Sequence, residues 1–191
     1  MNIKHILKLF KFTIIRKIII SIILLLTILC CNANGNNIYI DKLIQMNRYI
    51  VISQKYKHVP MNPIHIKTVV DLSYQYKVDP DLVLAIIEIE SQYDHLAKNK
   101  TSSASGYSQM IKSTALSLAK ELNITNYNHS IHSYDPNINL QLMVYYISKC
   151  INSSNSLESA LRKYRGCNDK AYFRKVLKTR NIIKALKERK S

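Results

Sequence analysis

Apolar positions along the chain form one long unbroken run, one weak patch and a series of helix-spaced segments. Residues 18–31 (IIISIILLLTILCC) are interrupted only by Ser21 and Thr27. A polar stretch comes next, with a semi-apolar patch over 40–53. Beyond it, apolar residues recur about every 3.6 positions in segments that open at Pro63, Pro80, Thr114, Pro136 and Leu157, and again after Asn168. Three of these openings share one device. Asn62, Asp79 and Asp135 each precede a proline, so a side-chain oxygen is ready to accept an orphan N–H while proline stands where no donor is needed. Helices are therefore predicted over 63–76, from Pro80 through Glu90, and over 114–122, 136–151 and 157–165. Ser113 and Ser156 are the expected caps of the third and fifth, Gly166 stops the fifth, and Asn168 opens a last one. The first helix is expected to bury Ile66, Val69, Val70, Leu72 and Tyr74. Nothing alternates with period two, and Gly35, Gly106 and Gly166 are the only glycines, so the predicted class is mainly α.

The second helix differs from the others. Leu82, Val83, Leu84, Ala85, Ile86, Ile87 and Ile89 are apolar on nearly every face, the mark of a helix packed on all sides. Glu90 sits three and four residues beyond Ile87 and Ile86, so its side chain emerges from an apolar stripe, while Glu88 points elsewhere. A carboxyl held among apolar neighbours loses hydration of its charged form and can stay protonated near neutral pH, as a general acid must. The plainer reading is a helix-end Glu that reaches water or pairs with a lysine.

The residues after Glu90 favour the chemical reading. Glu90, Ser91, Gln92 and Tyr93 form a helix end of Glu-Ser, one residue, then an aromatic. Next come Gly106, Tyr107, Ser108 and Gln109 with Met110 after them, then Lys112, Ser113, Thr114 and Ala115. Tyr134 to Asn139 reads YDPNIN, Lys163 to Gly166 reads KYRG with Ala160 upstream, and Tyr172 to Leu177 reads YFRKVL. In this order, over 61–177, these motifs resemble the lytic transglycosylases related to the soluble murein transglycosylase and, more distantly, goose-type lysozyme. The chain departs from the family at Tyr107 and Ser108, where Leu-Met is usual, at Lys112 in place of Pro, and at Arg165 in place of Asn.

The resemblance implies a lysozyme-like helical domain whose central helix carries the catalytic residue, Glu90. It implies cleavage of the β-1,4 bond between N-acetylmuramic acid and N-acetylglucosamine to leave 1,6-anhydro ends, with peptidoglycan strands as partner and no cofactor. Supporting roles then fall to Ser91, by local hydrogen bonding at the helix end, and to Asn99, near the substrate acetamido group. Gln109 is expected to line the cleft as donor and acceptor, with Met110 beside it. Gly106 would let backbone approach the saccharide. Asn139 is read as structural, and the Tyr164 hydroxyl is expected to meet Glu90. A hydrolase giving reducing ends, a wall-binding subunit without activity, and a basic membrane-associated helical protein stay open beside this reading.

Charge and cysteines refine the organisation. Lys4, Lys8, Lys11, Arg16 and Lys17 precede the long apolar run with no acid among them, which reads as an export signal over 1–33. An uncleaved anchor, or acylation at Cys30 or Cys31, are its alternatives; the run is shorter than the roughly 20 residues that span a bilayer. A linker or short docking segment over 34–60, a catalytic-type domain over 61–178 and a basic C-terminal helix over 179–191 complete the expected layout. The net charge is +16; the leader holds five of 28 basic residues, which leaves 23 against 12 acidic ones. Twelve of them fall between Arg162 and Lys190, opposed by Asp169 and Glu188. Such a face suits anionic wall polymer or anionic lipid, or is simply the solvated side of a docked helix. Nucleic acid would use the same charges, but export separates the chain from that partner. Export also makes a disulfide between Cys150 and Cys167 an expectation, with two free thiols as the alternative. The cysteines and histidines show no metal-binding spacing. By resemblance alone, a small exported member of this kind would serve a secretion or conjugation machine.

Overall fold

The structure, a computed structural model, describes Tyr49 and residues 61–188. The expected export signal and the rest of the 34–60 segment lie outside the described residues. Seven helices occur among those described: α1 (Pro63–Tyr76), α2 (Pro80–Ser91), α3 (Lys112–Glu121), α4 (His129–His132), α5 (Pro136–Asn152), α6 (Leu157–Arg165) and α7 (Lys170–Glu188). No strand is present among the described residues, only isolated bridges that pair Ser105 with Lys98 and with Met110.

The three Asx-Pro starts form as expected. Asn62 Oδ1 accepts the Ile64 N–H at 2.9 Å, Asp79 Oδ1 that of Asp81 at 2.9 Å, and Asp135 Oδ1 those of Asn137 and Ile138 at 2.8 and 3.2 Å. Ser156 caps α6 and Gly166 ends it in the left-handed conformation, φ 76°. Two other starts differ from expectation. α3 begins at Lys112 behind Ile111, which has no capping side chain, and the hydroxyl of Ser103, from the loop before it, accepts the Lys112 N–H at 3.0 Å. Ser113 is thus inside the helix. α7 is opened by Asp169, whose carboxylate accepts the Tyr172 N–H at 2.9 Å, and Asn168 stands outside. The short α4, capped by Asn128, has no apolar period long enough to announce it.

α2 is the central element. Every side chain from Leu82 to Ile87 is at most 4% exposed, because α1 packs on one flank of the helix and α7 on another, while α5 joins α1 to α6 and α3. On α1 the buried stripe is Ile66, Val69, Val70 and Ser73, and Tyr74, expected inside, remains 37% exposed. The stripe continues by three from Val70, which turns Tyr74 outward.

The C-terminal basic segment is not a separate appendage. α7 runs unbroken through 178; Ile183 is buried and Leu186 packs against the core. Arg180 Nε donates to Asp79 Oδ2 at 2.6 Å, so Asp79 caps α2 with one oxygen and anchors α7 with the other. Among the described residues no helix is long and apolar enough to cross a membrane.

The expected disulfide is not formed. Cys150 is buried on α5, Cys167 is exposed in the turn after Gly166, and both are free thiols. The inward face of α5 takes one sulfur into the protein while the α6–α7 turn leaves the other in solvent.

Tyr49, from the expected docking segment, is 1% exposed within the core, and its hydroxyl donates to Asp81 Oδ1 at 2.5 Å near the start of α2. Removing that hydroxyl takes a donor from a buried carboxylate. Tyr49→Phe is expected to cost about 2 kcal/mol, read as a lower midpoint in denaturant unfolding.

Candidate active site

Glu90 occupies the last turn of α2, and the chain turns sharply behind it. Gln92 and Tyr93 are both left-handed, φ 54° and 65°, a conformation that costs a non-glycine residue about 1–2 kcal/mol and persists only where surrounding contacts impose it. Ser91 Oγ donates back to the Ile87 carbonyl at 3.0 Å, so its hydroxyl serves the helix end. Glu88 faces away, and its carboxylate accepts the Tyr93 hydroxyl at 3.3 Å.

The Glu90 side chain is only 8% exposed. Burial raises its pKa above the ordinary carboxylate value, against the smaller opposing pulls of the Tyr172 hydroxyl and the Arg165 guanidinium. Arg165 Nη1 lies 3.7 Å from Glu90 Oε2, too far for a hydrogen bond. Desolvation wins, so the carboxyl is biased toward its protonated form.

Two concavities of about 520 and 530 Å³ meet at this group, and Glu90, Asn99 and Gln109 line both. Met110, Tyr146, Tyr164 and Arg165 line the first; Gln92, Asp94, Lys98 and Lys100 line the second. An acid between two troughs suits a polymer with units on both sides of the bond to be broken.

The two amides that flank Glu90 have complementary free ends. Gln109, left-handed at φ 45°, donates through Nε2 to the carbonyls of Ala97 and Gly106 at 3.1 and 3.0 Å. Carbonyls only accept, which fixes the amide orientation and leaves Oε1 as the group offered to a ligand. Gln109 is therefore an acceptor rather than the donor and acceptor expected. Asn99 Oδ1 is taken by the Thr101 N–H and hydroxyl at 2.9 and 3.0 Å, leaving its NH₂ as the donor. Met110, 7% exposed, joins the cleft to the small apolar cluster of Ala115, Leu118, Ala119 and Leu142.

Tyr164 is not the phenol that meets the acid. It lines the cleft and feels the Glu90 charge, but its hydroxyl donates to the Ser108 carbonyl at 3.1 Å. The phenol beside Glu90 is Tyr172, at the start of α7. Its hydroxyl is buried without a well-formed hydrogen bond, and burial, the Glu90 charge and contact with the Glu90 carboxyl all raise its pKa. The YFRKVL stretch is the sequence signal for this residue. Only the packing of α7 on α2 brings it to the acid.

Gly106 lines neither concavity. Its φ is 71°, and a Cβ there would strike the Ser133 carbonyl and stand 2.6 Å from Asn139 Nδ2. The glycine is needed for packing behind the cleft rather than for saccharide approach. Asn139, 4% exposed, is the clamp it packs against: Oδ1 accepts the Ser108 N–H at 3.0 Å, and Nδ2 donates to the carbonyls of Ser133 and Ser105 at 2.8 and 3.4 Å. His129 supports the same loop, donating from Nε2 to the Ser103 carbonyl at 2.7 Å and accepting at Nδ1 from the Tyr127 hydroxyl at 3.2 Å. Tyr107, a departure from the family pattern, is 1% exposed and bonds His65 Nδ1 at 2.8 Å, which gives its hydroxyl a half-buried partner. Gly106→Ala is expected to lower stability by at least about 3 kcal/mol, since backbone strain and steric overlap add; thermal melting with calorimetry measures it.

A model of the Transglycosylase SLT domain family matches residues 68–178, from within α1 to within α7, and so includes Glu90, Gln109, Asn139, Tyr164 and Tyr172. No curated protein sequence matches the chain. The match covers more than half of the 191 residues, and a mainly helical domain with a buried central helix is the fold its motifs imply. The chain belongs to the SLT family of lytic transglycosylases, enzymes that act on peptidoglycan.

Proposed function

We propose that the protein cleaves the β-1,4 bond between N-acetylmuramic acid and N-acetylglucosamine, with Glu90 acting first as general acid and then as general base. The observation that carries this reading is a nearly buried carboxyl with a raised pKa at the meeting point of two troughs. Protonated Glu90 gives its proton to the bridging oxygen, the C1–O bond breaks, and the N-acetylglucosamine side leaves as an alcohol. The muramic acetamido oxygen shares the positive charge that develops at C1. The Asn99 NH₂ and the Gln109 carbonyl offer the donor and acceptor that an acetamido C=O and N–H require. Glu90, now ionised, removes the proton from the muramic 6-hydroxyl, whose oxygen closes on C1 to form the 1,6-anhydro ring. The acid is regenerated and no water is consumed.

A second reading, hydrolysis, is favoured by Asp94. It lines the second trough and, though one oxygen caps the next turn through the Leu96 N–H at 2.8 Å, a carboxylate there can activate water. The products separate the two: anhydro ends for the first, reducing ends for the second. The substrate places the protein in the periplasm or cell envelope, and the 1–33 signal is the proposed route. Service to a secretion or conjugation machine, and contact of basic α7 with an anionic surface, belong to the same proposal.

Glu90→Gln keeps the shape of the side chain but has no proton to give. Release of 1,6-anhydromuropeptides from isolated wall, measured by mass spectrometry, is expected to fall by about 10³-fold or more. The pH profile tests the electrostatics. Activity needs the protonated acid first, so the rate declines as pH rises through the Glu90 pKa. The Tyr172 hydroxyl pulls that value down, so Tyr172→Phe is expected to move the alkaline limb of kcat/KM to higher pH. A limb that stays fixed or moves lower would remove Tyr172 from the site.

A further inference from the structure

Arg165 is a cation of the first trough to which the proposed chemistry gives no task. It is the final residue of α6, held by the left-handed Gly166, and it stands where the related family has asparagine. Its guanidinium lies over the Tyr172 ring, 5.2 Å from the centroid, which restricts the plane of the group. Its side chain is 45% exposed on the wall of the first trough. None of its guanidinium N–H groups makes a hydrogen bond among the described residues, and the approach to Glu90 at 3.7 Å is a charge contact only. Of the other carboxylates of its neighbourhood, Glu158 makes a charge contact of the same length, 3.7 Å, with Arg162, and Asp169 caps α7.

A planar fork of five donors, oriented by an aromatic face and left unsatisfied in a substrate cleft, matches one ligand chemistry best, a carboxylate bound through two parallel hydrogen bonds. We propose that Arg165 is a specificity-determining residue that binds a carboxylate of the substrate next to the muramoyl unit being cleaved. Service as a mere counter-ion fits poorly. A close ion pair would hold Glu90 ionised and oppose its role as acid, whereas a substrate carboxylate that engages the guanidinium relieves that opposition as the polymer binds. Peptidoglycan offers such a group in two forms: the carboxylates of the peptide stem, and the lactyl carboxylate, which is free only where the stem has been removed. The inference rests on the proposed substrate but not on the role of Glu90.

The test uses the full chain and three preparations of wall: intact, stripped of stems by an amidase, and intact wall whose carboxylates are capped as neutral amides. Turnover is read by mass spectrometry as the formation of 1,6-anhydromuramoyl ends, with or without peptide, and binding as retention of the Glu90→Gln protein, with and without Arg165→Gln, on the three preparations immobilised on a solid support. Arg165→Gln is expected to weaken binding to carboxylate-bearing wall by about tenfold and binding to capped wall by less than about twofold, while turnover on capped wall supplies the baseline for the lost pull on Glu90. Arg165→Lys, which keeps charge but not the fork, is expected to recover only part of the loss. Dependence on Arg165 with intact wall assigns the stem, and with stripped wall the lactyl group. An equal loss on all three preparations, or no loss on any, overturns the proposal. Binding that tracks the carboxylate while the parent protein releases no product would overturn the catalytic reading instead and leave this one standing.

Discussion

The structure depends on holding one carboxyl away from water at the end of a helix that is itself buried. Ionising a carboxyl in such a place is costly, and that cost pushes the pKa of the group upward. The burial is built from ordinary parts: the six consecutive apolar residues Leu82 to Ile87, α1 on one flank and α7 on another. The same packing that stabilises the domain therefore biases Glu90 toward its protonated form. The two groups that pull against it, Tyr172 and Arg165, come from the far end of the chain, so acid strength is balanced between the start and the close of the fold.

Behind the cleft lies a second layer that lines neither trough. Asn139 and His129 bond backbone groups of the 103–108 loop, and Gly106 leaves room for that clamp. The loop in turn presents Gln109 with its amide nitrogen already committed to two carbonyls. An amide fixed in this way offers a ligand one choice, to donate, and that gives the site orientation as well as affinity. Asn99 presents the opposite choice across the same wall.

Much of this is legible in the sequence because its causes are local. An Asx residue before proline starts a helix by a hydrogen bond two residues long, and an apolar run on all faces buries a helix wherever it is placed. Glu90 stands out for that reason, whereas Gln109 and Met110 are named only through the family motifs. The features that sequence does not reveal depend on distant segments. Ser103 caps α3 from another loop, Tyr172 reaches Glu90 only through helix packing, and Gly106 answers to Ser133 and Asn139 rather than to a ligand. The contact expected of Tyr164 is made by Tyr172 because both phenols lie near the acid and no spacing rule separates them. The Cys150–Cys167 pairing fails likewise, since cysteine number does not tell which way each sulfur faces.

Asp79 joins the two ends of this arrangement with a single side chain. One oxygen opens the helix that ends in Glu90; the other holds Arg180, about two turns beyond the phenol of Tyr172 on α7. The recognisable domain stops at 178, short of that arginine and of Ile183. A minimal fragment cut to the family boundary would thus strand an aspartate, uncover the rear of the central helix and loosen the rod that carries the phenol. The packed helix therefore extends past the stretch that matches the family.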